Sequence, residues 1–227
     1  MRLLLIRHGH PNYDLDCLTP LGHQQAEAMA RRLEREKIDL MYASTCGRAV
    51  ETAEHAASRF GLPVHLLPFM REVNWGYHGQ SNEPEAHPWN LVDQMILDGK
   101  TLTNSDWRDV PPFQGNSVCD NADLIAEGVD GWLETLGYTR EGDYYRAGDS
   151  TAKTVALFSH GGSSNAALAH ILNLPLPYVL QVFCADFTSI TVLKFPDTPG
   201  KLVMPVLELV NDCAHIRELK AEQFFGN

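Results

Sequence analysis

Met1-Arg2-Leu3-Leu4-Leu5-Ile6-Arg7-His8-Gly9-His10 opens the chain, and its reading decides the fold. Leu3 to Ile6 are consecutive apolar residues, which read as a short strand buried on both faces, as in a parallel sheet. The strand runs directly into Arg7-His8-Gly9. Ligands of open α/β sheets bind at the carboxyl ends of the strands. A cation, an imidazole and a glycine delivered there point to chemistry on an anion. A lone Arg-His-Gly is more often a solvated turn after a core strand, so the rest of the chain must overturn that reading.

Outward from this strand, Pro11 to Asp14 form a turn-rich loop. Thr19-Pro20 then gives a helix start, with Thr as N-cap and Pro at the first helical position. Ala26, Met29, Ala30 and Leu33 follow at helical spacing, predicting an amphipathic helix from Pro20 to about Lys37. Ile38 to Ala43 reads as a second strand, ending in Ser44-Thr45-Cys46-Gly47-Arg48. The next helix carries Ala49, Ala53, Ala56 and Phe60 on one face and stops at Gly61. Pro63 to Leu67 is a third strand. This β-α-β-α-β order predicts an α/β three-layer sandwich with a mainly parallel sheet.

Residues 77–115 hold several prolines and two tryptophans around one predicted helix, His87 to Asp98. They read as an inserted lid-like segment covering the site within a single domain, 1–227. A longer helix from Ser117 to Leu136 turns Leu124, Ile125, Val129, Trp132, Leu133 and Leu136 inward. Thr139 to Ser150 reads as a polar loop. Thr154 to Phe158 is a further buried strand ending in Ser159-His160-Gly161-Gly162, with a helix from Ser163 to Leu172 stopped by Pro175. Phe187 to Phe195 and Leu202 to Val210 are expected as closing strands, an antiparallel hairpin through Pro196 to Gly200.

Composition excludes some functions. Lys and Arg number 18 against 29 Asp and Glu, a net charge of −11, which argues against nucleic acid and anionic membrane as partners. A local basic pocket still admits an anionic small molecule, because surface charge is screened over roughly 8 Å at physiological salt. The cysteines (17, 46, 119, 184, 213) are odd in number with no Cys-x-x-Cys, which predicts a reducing, cytoplasmic setting. The N-terminal apolar run is too short for a signal peptide or a membrane span. A monomer and a homodimer are both compatible with the apolar pattern.

The chemistry-bearing residues fall at corresponding places. His8-Gly9 and His160-Gly161-Gly162 both follow strands, and Arg48 lies in the first turn of a helix whose N-terminus already favours anions. Arg7, Arg48 and two imidazoles converging on a tetrahedral dianion would give it bidentate, charge-assisted contacts.

With these residues in place, the chain resembles the histidine phosphatase superfamily, the group that includes cofactor-dependent phosphoglycerate mutase. The resemblance rests on Arg7-His8-Gly9, Leu18 to Ala26, Ser44 to Ala53, Met70-Arg71-Glu72-Val73-Asn74-Trp75-Gly76 and Ser159-His160-Gly161-Gly162, in that order. It implies a phosphoglycerate mutase-like fold and a metal-independent phosphomonoester hydrolase acting on a small phosphorylated metabolite. By the resemblance, His8 is the nucleophile and forms a phosphohistidine. Arg7, Arg48, His160 and Gly161 hold the phosphoryl group. Glu72 is the acid and then the base, a role that needs a raised pKa, supplied by semi-burial near Trp75. No cofactor or metal is implied, since the cations neutralise the phosphate themselves.

The chain departs from the family where a threonine and an asparagine usually follow the first histidine: here stand Pro11 and Asp14. Asp14 would repel phosphate, so Asn12 is the expected substitute for substrate binding. Gly115-Asn116-Ser117 replaces the family's usual Gly-Glu-Ser. Between Glu72 and Gly115 the only basic side chains besides histidine are Lys100 and Arg108, which favours hydrolysis over mutase-type phosphoryl transfer. His10, His78, Trp75, Tyr77, Trp89 and Trp107 are candidates for the pocket mouth, with packing roles as the plainer alternative. Three rival readings are weaker: a metal-dependent hydrolase using His8-x-His10, a non-catalytic phosphate-binding module, and a serine hydrolase using Ser163, which has no Gly-x-Ser-x-Gly elbow.

Overall fold

The computed structural model describes residues 1–80, 82–149 and 153–219. In chain order it comprises β1 (Arg2–Arg7), β2 (Pro11–Asn12), β3 (Cys17–Leu18), α1 (Pro20–Leu33), β4 (Leu40–Ser44), α2 (Gly47–Phe60), β5 (Val64–Leu67), α3 (Pro88–Leu97) and α4 (Ser117–Thr135). There follow β6 (Tyr138–Glu141), β7 (Tyr144–Ala147), β8 (Thr154–Ser159), α5 (Gly161–Leu172), α6 (Leu176–Val182), β9 (Ile190–Lys194), β10 (Leu202–Val203) and β11 (Val206–Asp212). The main sheet has six strands in the order β11-β9-β1-β8-β4-β5. β1, β8, β4 and β5 are parallel, while β9 runs antiparallel to β1 and to β11.

Both faces of the sheet are covered, and the strand period of two assigns each residue to a layer. Leu3, Leu5, Val155, Leu157 and Leu193 face a core shared with α4, α5 and α6. Leu4, Ile6, Ala156, Phe158 and Val192 face the opposite way, onto Met29, Ala30 and Leu33 of α1 and Ala53 and Ala56 of α2. The buried run from Leu3 to Ile6 is therefore shared between two cores. The 77–115 segment has no separate core: Leu91, Val92 and Met95 of α3, with Trp107 and Phe113, join the first cluster.

Local chemistry explains the boundaries. Thr19 caps α1, its hydroxyl accepting from the Gly22 N–H at 3.1 Å, and Gly61 ends α2 with φ +65°. Gly22 also permits a close crossing: a Cβ there would lie 2.2 Å from the His10 carbonyl oxygen. That contact seats the start of α1 against the loop carrying the first histidine.

Several expectations need correction. α1 ends at Leu33 rather than near Lys37, and β4 starts at Leu40 rather than Ile38. Leu124 faces solvent at 57% exposure, because the α4 stripe runs Val118, Ala122, Ile125, Val129, Trp132 and Leu133. Leu124 stands one helical step off that line.

The expected polar loop after Gly137 is instead a hairpin, β6–β7, whose Tyr145 and Ala147 are buried while Tyr144 and Arg146 are not. Gly142 at φ +59° opens its two-residue turn, as hairpin turns demand. Ser150, the end of that expected loop, lies outside the described residues. The last expected strand is divided. Leu202–Val203 pairs with β7 in a separate three-stranded sheet, and Val206–Asp212 pairs with β9. Pro205, lacking an N–H, separates the two. β9 begins only at Ile190, leaving Phe187 in a loop beside β1. The short helix α6, after Pro175, was not anticipated.

Candidate active site

The parallel register places Arg7 beside Ser159, so the residues that follow each strand emerge side by side. His8 and His160 are buried, with ring centroids 5.2 Å apart. Ser44, at the end of β4 on the other side of β8, lies with its hydroxyl 2.8 Å from His160 Nε2. The site therefore sits at the carboxyl ends of three adjacent strands, where the sheet geometry predicts it.

Each ring nitrogen of His8 has a defined position. Nδ1 lies 2.7 Å from the Gly9 carbonyl oxygen. A carbonyl only accepts, so Nδ1 carries the proton and Nε2 carries the lone pair. Arg48 Nε–H points at that Nε2 from 3.4 Å. The Gly9 turn is pinned in its turn: its N–H donates to Thr52 Oγ1 at 3.0 Å, and the Thr52 hydroxyl donates to the Arg48 carbonyl at 2.7 Å. One turn of α2 thus fixes both the guanidinium and the loop that holds the histidine.

The cations are individually braced. Arg7 Nη1 donates to the Ala185 carbonyl at 2.6 Å, and its guanidinium lies 4.4 Å over the Phe187 ring. Its Nε is buried without a partner among the described residues, as is Nδ1 of His160. Arg48 pairs with Asp16, whose other oxygen accepts from the Gly47 N–H at 2.8 Å. Arg7 Nε, Arg7 Cζ and the Trp89 ring edge all come within 4.0 Å of the Cβ position of Gly161, the first residue of α5. Buried polar nitrogens without partners are rare in folded proteins, and here one belongs to Arg7 and one to His160, both beside His8.

Glu72 is half-buried at the start of α5. Its carboxylate accepts from the N–H groups of Ser163 at 2.9 Å, Val73 at 3.0 Å and Gly162 at 3.3 Å. Gly162 is needed there, since a Cβ would lie 2.7 Å from Glu72 Oε1 and 2.5 Å from Val73. Trp75 packs on His87 (4.4 Å between centroids) rather than serving as a recorded contact of the carboxylate, and His87 packs on Trp89 at 5.3 Å. These rings form a continuous aromatic wall from Trp75 to Gly161.

The other candidates separate clearly. Asn12 Oδ1 accepts from the N–H groups of Asp14 and Leu15 at 3.1 and 3.2 Å, shaping its own turn. Asp14 is exposed, and the carboxylate that reaches Arg48 is Asp16. His10 supports the α1 cap, with Nδ1 2.9 Å from Thr19 Oγ1. His78 is exposed, and Trp107 is buried in the core against Phe113. Ser163 is fully buried with its hydroxyl 2.8 Å from that of Ser159, an unsuitable setting for a nucleophile. Asn116, at the Gly115-Asn116-Ser117 departure, caps α4 through the Val118 N–H and donates to the Ala86 carbonyl. Asp16, Thr52, Ser44, Phe187 and Arg71 are contributors that pattern reading missed. Ser44, Thr52 and Arg71 lie inside the quoted motifs with no role read for them, whereas Asp16 and Phe187 lie outside every motif.

Burial is the leading cause that holds His8 and His160 well below the ordinary histidine pKa, with neighbouring positive groups adding to it. Both rings are therefore neutral at neutral pH. In the unfolded chain they protonate near 6.5, so on acidification the unfolded state binds protons first. Their contribution to stability is complete above about 6.5 and is lost as pH falls from there toward the folded-state values, by up to about 1.4 kcal/mol per group per pH unit. The urea midpoint is expected to fall from pH 7 to pH 5.5, and to fall less when both are replaced by asparagine. Equal slopes in the two proteins would contradict buried neutral imidazoles.

Among the described residues no three His, Cys, Asp or Glu side chains are grouped to hold a metal ion, and no helix is long and apolar enough to cross a membrane. A family model described as "Histidine phosphatase superfamily (branch 1)" matches residues 3–206. The chain is 32% identical over 228 residues to the putative phosphoserine phosphatase 2 of Hydrogenobacter thermophilus, spanning 96% of this chain and 98% of that one. It is 25% identical over 229 residues to a probable phosphoglycerate mutase of Yersinia enterocolitica, spanning 95% of each. Among solved structures, the native mycobacterial glucosyl-3-phosphoglycerate phosphatase matches with a TM-score of 0.63 at 26% identity, over 92% of this chain and 98% of that one.

Proposed function

The chain belongs to the histidine phosphatase superfamily, and from that premise we propose that it hydrolyses phosphomonoesters of a small metabolite through a phosphohistidine on His8. The observation that carries this reading is the Nδ1–Gly9 contact of 2.7 Å. It leaves Nε2 as a lone pair inside a pocket edged by two guanidiniums and a second imidazole.

In the first step Nε2 of His8 attacks phosphorus, the P–N bond forms and the P–O bond to the alcohol breaks. Glu72 acts as the general acid at the departing oxygen. In the second step Glu72 takes a proton from water, which attacks phosphorus and breaks the P–N bond, releasing inorganic phosphate. Arg7 Nε and His160 Nδ1, buried and unpartnered in the free protein, gain phosphoryl oxygens as acceptors, and the Gly161 N–H at the helix start adds a third donor. Arg48 bridges the histidine and the phosphoryl group, held in place by Asp16. Such preorganised donors stabilise the charge spread over the equatorial oxygens in the transition state. Asn12 retains its amide N–H groups for the phosphate once its oxygen has shaped the turn. The cations supply the charge neutralisation, so the reading includes no metal.

Hydrolysis is favoured over phosphoglycerate mutase-type phosphoryl transfer by the segment 77–115, which we read as the cover of the site. Of its cations, Arg108 is paired with Asp123 and stacked on Trp107, and Lys100 is exposed beyond α3. Little positive charge is left there to retain a doubly phosphorylated intermediate. The expected result is phosphate release from p-nitrophenyl phosphate in excess chelator, with water as acceptor. Phosphoryl transfer to an added phosphoglycerate faster than release to water would instead favour a mutase.

A further inference from the structure

Arg71 is one of several arginines of this acidic chain with no carboxylate partner among the described residues, and the one that stands next to Glu72. Arg2, Arg32, Arg48, Arg59 and Arg146 each pair with a carboxylate. Arg71 is exposed, and among the described residues its guanidinium donates to a neutral group, Thr45 Oγ1, at 3.2 Å.

Its position is specific. Thr45 follows Ser44, whose hydroxyl contacts His160, and precedes Cys46 and Gly47, which lead into Arg48. Arg71 also precedes Glu72 in the chain. Near His160, its charge is one of those that oppose protonation of that ring. The guanidinium therefore lies exposed at the rim, beside the residue that follows β4 and near His160. It is not needed for the phosphoryl group, which Arg7, Arg48 and His160 already surround. His87, the titratable ring of the facing aromatic wall, is kept neutral by burial and adds no cation.

We propose that Arg71 is a specificity-determining residue that binds a second negative group on the alcohol portion of the substrate. This rests on the phosphomonoesterase reading above and deepens it. The substrate class is a small phosphate ester that bears a carboxylate a few bonds from the ester oxygen. In a chain of net charge −11, an uncompensated guanidinium at the rim is where such a group gains the most and where its repulsion from the rest of the surface is offset.

The test compares 3-phosphoglycerate with glycerol 3-phosphate, which differ in having a carboxylate or a hydroxymethyl group at the far carbon. In the native protein kcat/KM should favour 3-phosphoglycerate. Arg71→Gln should lower that preference about ten- to a hundredfold, as expected for loss of a charge-assisted hydrogen bond, mainly through KM, and Arg71→Lys should restore part of it. Calorimetric titration of both compounds into His8→Ala protein, with and without Arg71→Gln, reads the same preference as binding. An unchanged ratio in Arg71→Gln, or equal losses on both compounds, overturns the proposal. Absence of turnover on every ester overturns the phosphatase reading instead, while the titrations still decide the role of Arg71.

Discussion

Replacing His8 by alanine is expected to lower phosphomonoester turnover by about 10⁴- to 10⁶-fold, the scale seen when a covalent nucleophile is removed and the surrounding charge stabilisation remains. The geometry gives the reason. The Gly9 carbonyl holds Nδ1 as N–H, and Arg48, His160 and the α5 start surround Nε2, so no other nucleophile occupies that position. Inorganic phosphate should still bind, since its other donors remain. Steady-state kinetics and phosphate titration of the same preparation check this. His8→Asn, closer in size and polarity, guards against a folding artefact: it should be as inactive as the alanine variant. Activity within about tenfold of native in both variants would remove His8 from the chemistry.

The second large effect concerns Glu72, and its size should depend on the alcohol released. A general acid contributes about 10²- to 10⁴-fold when the leaving oxygen needs a proton, and little when it leaves readily as an anion. Glu72→Gln should therefore cost glycerol 3-phosphate hydrolysis at the upper end of that range. The first step with p-nitrophenyl phosphate should be slowed far less. Its second step still needs water activation, so phosphoenzyme should build up, seen as a burst of nitrophenol followed by slow turnover. The amide substitution also places N–H groups against those of Gly162 and Ser163. Glu72→Asp, which keeps the acceptor oxygens, therefore serves as the control for local folding. Equal losses on both substrates with no burst would assign Glu72 to holding α5 in place instead.

Much of this was legible in the sequence, for a definite reason. Leu3 to Ile6 and Val155 to Phe158 are apolar at every position because both faces of the sheet are covered. Each run ends in Arg-His-Gly or Ser-His-Gly at the functional edge. Thr19 and Gly61 mark helix ends through capping chemistry that depends on neighbours a few residues away. The β6–β7 hairpin had a readable signal, a Gly-Asp turn between alternating residues, but its polar side chains hid the buried Tyr145. Leu124 was misplaced because adjacent leucine and isoleucine compete for one stripe, and only packing decides. Asp16 was beyond reach. Its pairing with Arg48 and Gly47 joins positions 31 and 32 residues apart, and nothing local distinguishes it from Asp14. Arg71 was passed over because its contact with Thr45 is likewise made only by the folding of β4 and β5 next to each other.

The central claim is that a phosphoryl group passes through Nε2 of His8. The most direct measurement is location of the phosphoryl group on the Glu72→Gln protein, quenched after brief mixing with p-nitrophenyl phosphate and digested for mass spectrometry at alkaline pH. One acid-labile, base-stable phosphate is expected, on the peptide containing His8, and none when His8→Ala is added. An acid-stable phosphate on serine or threonine, or a label that survives His8→Ala, would contradict it.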